Sequence, residues 1–454
     1  MRNKLILLVI VIIFVIHSLS LNFTQDDAFI SFRYVKNFVQ GNGLVFNVGE
    51  RVEGYTNFFW IIILSLFAKL GLDMIMVSKI LGVASGCVML ILLHRISQLF
   101  FPKRDWLFSF FPSLLLTASS AFAYWSISGL ETVFFAMMVL VAVYLYLTYS
   151  PLWVASCALS VRIRPEGGLV FGILILHKLL FRKDWVGETL SYLGGFVLLL
   201  LPFVIFKVLY YGDILPNPFY AKTGLSLEYV KSGLEYFWLF LRHYGLWGVL
   251  FLLPIFFYKT LNSRERLLIL FVYIYTLYVV VIGGDVLKVH RFFLPILPLS
   301  YLLFAICLKR LLAKFMNYLW RMVAAILMLF SLSTLFFLLP YQWIRDVRTA
   351  EKKLVEGMPF QAEYLNANFQ AGFSIAVTTI GSISYYLGTE AKVIDMLGLT
   401  DKYISRHPEE FPMIAATWKE RRYNTRYLLS RDPDFILFST GLKPSAPAEL
   451  SLIH

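Results

Sequence analysis

The sequence predicts an all-α polytopic membrane domain of about eleven transmembrane helices, residues 1–340, followed by a small extracytoplasmic α/β domain, residues 341–454. Three observations carry this. Of the 454 residues, 59% are hydrophobic and 15% charged, whereas a soluble domain averages about 25% charged, so much of the surface has to face lipid. Apolar runs close to the ~20 residues that a bilayer requires recur as far as residue 339. After Pro340 the composition turns abruptly polar.

In chain order, Arg2 and Lys4 precede the run 5–21. No small-residue cleavage site follows, so this is a first span with its N-terminus inside rather than a signal peptide. Further spans read as 77–93, 107–125, 130–149, 167–181, 189–211, 246–258, 267–282, 292–308 and 322–339, with 152–161 a shorter candidate. The run 58–72 is apolar but short, about 14 residues between polar flanks, in the range of re-entrant or interfacial helices. If it does not cross, the basic tracts 94–104, 182–183, 259–266 and 309–321 all fall on the cytoplasmic side, as the positive-inside rule asks. Segments 22–57, 126–131, 162–166, 212–244 and 283–291 then share the outer face, with 22–57 a large first outer loop. In the tail, strand-like stretches 374–379, 392–396 and 434–438 alternate with helix-like stretches 350–369 and 417–430, the pattern of an α/β domain.

The same composition narrows the function. The net charge of +13 sits in tracts beside spans, which is the membrane pattern and not a nucleic-acid face. Cys87, Cys157 and Cys307 lie in apolar runs without metal-type spacing. No Walker-type or GxGxxG phosphate loop is present, so no cytoplasmic nucleotide site is indicated.

Charges gathered at one membrane face are functional candidates by default. Asp26 and Asp27 lie just beyond the first span. Adjacent carboxylates repel, which can leave one as a base for a sugar hydroxyl; the pair can equally hold a divalent cation such as Mg or Mn, or serve as a helix N-cap. The first loop continues with Arg33 and then Glu53, Tyr55 and Asn57, groups of the kind that read sugar hydroxyls. Glu131 stands at the mouth of a span, and Arg164 and Glu166 interrupt two apolar runs; an arginine there can bind phosphate bidentately, or simply pair with its neighbour. Asn217 and Lys222 sit in a turn-rich segment, and Asp285, His290 and Arg291 in a loop where a basic cluster can also bind lipid headgroups. No His or Asp-x-Asp cluster in the first loop points to a tightly held metal.

These strings resemble a known group. Residues Asp26-Asp27-Ala28-Phe29-Ile30-Ser31-Phe32-Arg33-Tyr34, Gly41-Asn42-Gly43, Glu50 to Asn57, Ser128-Gly129-Leu130-Glu131-Thr132, Arg164-Pro165-Glu166-Gly167, Pro216-Asn217, Gly284-Asp285, Arg291-Phe292-Phe293 and Ile394 to Asp401 are similar to the GT-C superfamily members that include the terminal β-arabinofuranosyltransferases of cell-wall arabinan synthesis. The resemblance implies a large first outer loop, a polyprenyl-phosphate-sugar donor, and an essential aspartate early in that loop. That role carries to Asp27, with Asp26 its alternate.

The expected activity is transfer of a sugar from such a donor to a cell-envelope glycan or glycolipid acceptor, at the outer face of a bacterial inner membrane. A lipid phosphate-sugar presents its anomeric bond at the membrane surface, where a carboxylate can activate the acceptor hydroxyl while cations stabilise the departing phosphate. Arg164, Lys222, His290 and Arg291 are the phosphate candidates. Arg33, Glu53, Tyr55, Asn57, Glu131, Glu166, Asn217 and Asp285 are the sugar and acceptor candidates. The rivals are a lipid or sugar transporter or flippase, which would place ionisable residues deep in broken, paired helices, and a membrane regulator of the flagellar-motor type.

Overall fold

A computed structural model describes residues 2–181, 186–222, 227–244, 248–409 and 423–437. The basic tract 182–183, the start of the expected span 246–258, residues 417–422 of the expected tail helix and residue 438 lie outside these.

The first half of the chain folds as α1 (Arg2–Ser20), α2 (Asp26–Val39), α3 (Phe58–Lys69), α4 (Met74–Ser97), α5 (Trp106–Ala118), α6 (Ser120–Ile127), α7 (Thr132–Leu147), α8 (Trp153–Ile163) and α9 (Gly167–Phe181). The second half continues with α10 (Val186–Tyr211), α11 (Asn217–Lys222), α12 (Leu227–His243), α13 (Val249–Phe257), α14 (Ser263–Val281), α15 (Leu297–Phe315) and α16 (Tyr318–Asn368). Helix α7 packs against both α4 and α8, and α5 against α4, α15 and α16, forming one continuous apolar core.

The chain is a multi-pass membrane protein. By length and apolarity, four described helices can cross a bilayer: Asn3–Ser20, Met74–Ser97, Gly187–Tyr211 and Tyr318–Asn368. A fifth span forms if Lys103–Ala118 and Ser120–Ile127, bent by 61°, act as one. The difference from the eleven expected comes from apolar helices cut short, among them α7, α8 and α9 at 16, 11 and 15 residues, and from charges within α14 and α15 such as Arg264, Glu265, Lys309 and Arg310. The break between α8 and α9 is dictated locally: Arg164 precedes Pro165, and a residue before proline is driven from helical to extended backbone, which Arg164 adopts at φ −154°, ψ 139°. The short apolar run beginning at Phe58 is the twelve-residue α3.

Beyond residue 370 the chain builds β1 (Ser374–Val377), α17 (Ser382–Leu387), β2 (Lys392–Asp395), α18 (Lys402–Arg406), α19 (Thr425–Ser430) and β3 (Phe435–Leu437). The strands form a parallel sheet in the order β2-β1-β3. The expected boundary at 340 is not a break in the backbone, because α16 runs unbroken from the apolar stretch through Pro340 into the polar one.

The tail sits on the first loop through polar contacts that need specific groups. Strand β2 is a sheet edge, and an edge presents unpaired backbone groups. The Asn47 side chain covers it, accepting from the Val393 N–H at 3.0 Å and donating to its carbonyl at 2.8 Å. Glu50 pairs with Lys392 at 3.0 Å and Arg431 at 2.8 Å. Gly54 admits this closeness: a Cβ there would lie 2.5 Å from the Thr400 methyl and 2.8 Å from the Tyr34 hydroxyl.

Candidate active site

The two aspartates expected to act together are separated by helix geometry. Successive residues of an α-helix point about 100° apart, and those four apart share a face. Asp26 opens the face that continues through Phe29 and Arg33, and this face meets the tail. Its carboxylate accepts from the N–H of Gly381 at 3.1 Å and of Ser382 at 2.8 Å. Burial pushes its pKa up to about 7, against those two N–H donors, which favour the charged form, and with help from Asp27. Asp27 shares its face with Ser31, is only partly buried, and has no hydrogen-bond or ion-pair partner among the described residues.

Ser31 is the entry to a buried polar chain. It accepts from the Asn57 amide at 3.0 Å, and that amide also donates to Glu131 at 2.9 Å. Asn57 occupies the N-cap position of α3 but its side chain makes no cap, so it is available for this bridge. Glu131 pairs with Arg164 at 3.0 Å, and Arg164 with Glu166 at 2.8 Å. Glu131 is 4% exposed, so it is not a solvated helix start, and Arg164 and Glu166 are 7% and 8% exposed.

The loop before α15 supplies the second cation. Arg291 forks onto Asp285 with contacts of 2.6 and 3.0 Å. It lies within electrostatic reach of Arg164 and Glu131, and one ring, Phe292, is 5.1 Å from the Arg164 guanidinium and 5.4 Å from that of Arg291. The loop is tightly turned. Val289 and His290 both hold positive φ, 68° and 57°, uncommon for non-glycine residues and an outlier for a β-branched one. Gly284, at φ +71°, accommodates the Tyr236 side chain 2.6 Å from where a Cβ would stand. The Trp125 indole donates to the Val289 carbonyl at 2.7 Å, tying this loop to the segment that carries Glu131. Strain of this kind concentrates at functional sites.

Both guanidiniums keep free donors. Arginine has five N–H groups; Arg164 directs three at Glu131 and Glu166, and Arg291 two at Asp285. The remainder have no partner among the described residues.

Several other candidates serve elsewhere. Arg33 is fully buried and donates to the carbonyls of Phe46 at 2.8 Å, Gly388 at 2.8 Å, Ala391 at 2.7 Å and Ser384, so it joins loop to tail and does not face a sugar. Asn217 does likewise, donating to the carbonyls of Gly398, Leu399 and Asp401 and accepting from Ser405. Glu53 pairs with Lys207 at 3.0 Å, and burial lifts its pKa to about 7 despite that cation. The Tyr55 hydroxyl meets that of Tyr211 at 2.8 Å. His290 is buried, with Nε2 at 2.8 Å from His243 and Nδ1 without a hydrogen-bond partner among the described residues. Lys222 closes α11. Among the described residues no three His, Cys, Asp or Glu side chains form a metal-type cluster, so no residues here are assigned to a Mg or Mn ion.

Sequence reasoning missed Ser31, Tyr236 and Lys207. Ser31 lay in the quoted first-loop string, and Lys207 is a lone cation inside the apolar run 189–211, a signal that could have singled it out. A cavity of about 360 Å³ lined by Lys36, Gln40, Asn366, Phe369, Thr389 and Glu390 shares no residue with the polar network, whose chemistry makes it the better candidate.

Comparison with solved structures decides the architecture. ArnT from Cupriavidus metallidurans, in a crystal structure bound to undecaprenyl phosphate, superposes with a TM-score of 0.63 over 88% of this chain and 87% of that one, at 12% identity. This chain has the GT-C fold. The apo form of the same ArnT gives a TM-score of 0.62 at 11% identity over the same shares. At the sequence level, the terminal β-(1→2)-arabinofuranosyltransferase of Mycobacterium tuberculosis is 30% identical over 256 residues, which cover 49% of this chain and 38% of that protein. The matched region is thus well under half the length of that curated relative. Residues 346–453, the end of α16 and the tail, match a domain described as of unknown function, DUF8728.

Proposed function

We propose that this protein transfers a sugar from a polyprenyl-phosphate-linked donor to a cell-envelope glycan or glycolipid acceptor, with Asp27 as the essential carboxylate. The observation that carries this is Asp27 itself: a carboxylate with no hydrogen-bond or ion-pair partner among the described residues, just beyond the first span, on the α2 face whose Ser31, one helical turn on, opens the polar chain through Asn57 and Glu131 to Arg164, with Arg291 within electrostatic reach of that arginine. ArnT's bound lipid, undecaprenyl phosphate, is the chemistry this network suits.

In this reading the acceptor hydroxyl gives its proton to Asp27 as its oxygen bonds to the anomeric carbon and the bond to the phosphate oxygen breaks. The leaving group departs as a phosphate anion, which needs charge stabilisation more than protonation. Arg164 and Arg291 provide it through their free N–H groups. Glu131, Glu166 and Asp285 hold the two guanidiniums in place, and Asn57 and Ser31 link that assembly to the Asp27 face. This step gives no role to Lys222 or His290. The reading places the first loop and the tail outside the cytoplasm, with the N-terminus inside. The test is a comparison of lipid-linked sugars and envelope glycans in cells with and without the gene. An accumulated polyprenyl-phosphate sugar and a truncated glycan are expected; identical profiles in both contradict the reading.

A further inference from the structure

We propose that the tail sets the position of the reacting carboxylate: α17 is a positioning element for Asp27, and it acts through Asp26 and Arg33. This rests on the reading of Asp27 as the carboxylate that faces substrate.

Helix α2 is shared between two bodies. Its Asp26, Phe29 and Arg33 face belongs to the tail, and its Asp27 and Ser31 face to the membrane network. Asp26 and Arg33 are seven residues apart, two helical turns, and they bracket α17 over the same interval. Asp26 takes the N–H groups of Gly381 and Ser382 at its start; Arg33 takes the Ser384 and Gly388 carbonyls at its end and the Ala391 carbonyl just beyond. Between them, Phe29 lies 5.6 Å from the ring of Tyr385. Each charge meets the end of α17 whose exposed backbone groups are of opposite polarity. Rotation of α2 about its axis, the motion that would swing Asp27 away from Ser31 and Asn57, breaks both attachments at once.

Two features indicate that geometry is what this junction supplies. Arg33 is a fully buried cation with no carboxylate partner among the described residues, held there by neutral oxygens, and a buried charge is a weak source of net stability. Gly381 leaves no slack: a Cβ there would lie 2.1 Å from the Asp26 carbonyl oxygen and 2.4 Å from its carboxylate. Residues of the tail that never approach the sugar therefore dictate where Asp27 points.

The test uses the full-length protein in lipid nanodiscs and a tail-side wedge, Gly381→Ala, with Arg33→Met as the second variant. In a background where Cys87, Cys157 and Cys307 are replaced by Ala, Asp27→Cys supplies a single thiol, and its modification rate by a negatively charged maleimide reports the setting of position 27. Each variant is expected to change that rate several-fold while the membrane domain melts as before. With Asp27 restored and a polyprenyl-phosphate-sugar donor, kcat is expected to fall roughly 10- to 100-fold at unchanged KM, the scale of a small misplacement. Unchanged labelling in both variants, or unchanged kcat, overturns the proposal. Should the unmodified protein show no transfer while the labelling still shifts, the positioning stands and the functional reading of the site falls.

Discussion

At the scale of single residues, the account turns on two neighbouring aspartates with opposite duties. Asp27 has no hydrogen-bond or ion-pair partner among the described residues, so Asp27→Asn is expected to leave stability within about 0.5 kcal/mol of the starting protein, read from thermal melting. Asp26 is buried on two N–H groups, and Asp26→Ala strands both; about 1–3 kcal/mol of tail docking should be lost, measurable by limited proteolysis of the tail. The pH dependence has a definite sign. Docked Asp26 has a pKa raised to about 7, whereas an undocked aspartate ionises near 3.9. Between those values the docked state holds a proton the undocked state has released, so the Asp26 contribution to docking is fully present below about pH 4, falls as pH rises, and levels off above 7, while the Glu50 pairs with Lys392 and Arg431, which against burial hold that carboxyl below its ordinary value, lose their contribution as pH falls through the acid range. Proteolytic release of the tail across pH 4 to 8, compared with that of Asp26→Asn, checks this; a difference between the two that does not shrink as pH rises toward 7 contradicts it.

At the scale of elements, the site is made where helices stop. Asn57 begins α3, Glu131 begins α7, Arg164 ends α8 and Glu166 lies just before α9, so four chain ends contribute one ion-paired network. That interruption is also why α7, α8 and α9 are shorter than a bilayer asks. Breaking the network from one side leaves a buried charge behind, so Arg164→Met is expected to cost about 3–5 kcal/mol, seen as a lowered melting temperature. Glu166→Gln, which retains the shape and one acceptor, should cost less. This convergence was legible in part. Arg164-Pro165-Glu166 and Ser128 to Thr132 stood out as polar interruptions in apolar runs, and their joining followed from putting alternate loops on one side. Arg33 and Asn217 looked like ligand contacts because sequence shows a polar side chain but not which carbonyls lie above it. All but the Phe46 carbonyl belong to the tail, more than 150 residues further along.

At the scale of the molecule, composition revealed the membrane class and the polar tail, and the strand-like stretches correspond to β1, β2 and β3. What composition concealed was the joint. The sequence changes character at Pro340, yet α16 passes through it, and the tail then folds back so that its β2 edge and α17 are completed by the first loop. Long-range closure of this kind leaves no local periodicity. The proposed orientation predicts that Tyr364→Cys, on the exposed tail end of α16, reacts with a membrane-impermeant maleimide in intact cells; protection until the cells are lysed would place the tail inside. The central claim is tested most directly by turnover of a polyprenyl-phosphate sugar on the purified protein and on Asp27→Asn. A drop of roughly 100-fold or more in kcat, with an unchanged melting temperature, is the predicted result. Asp27→Asn turning over at the rate of the unmodified protein would contradict it.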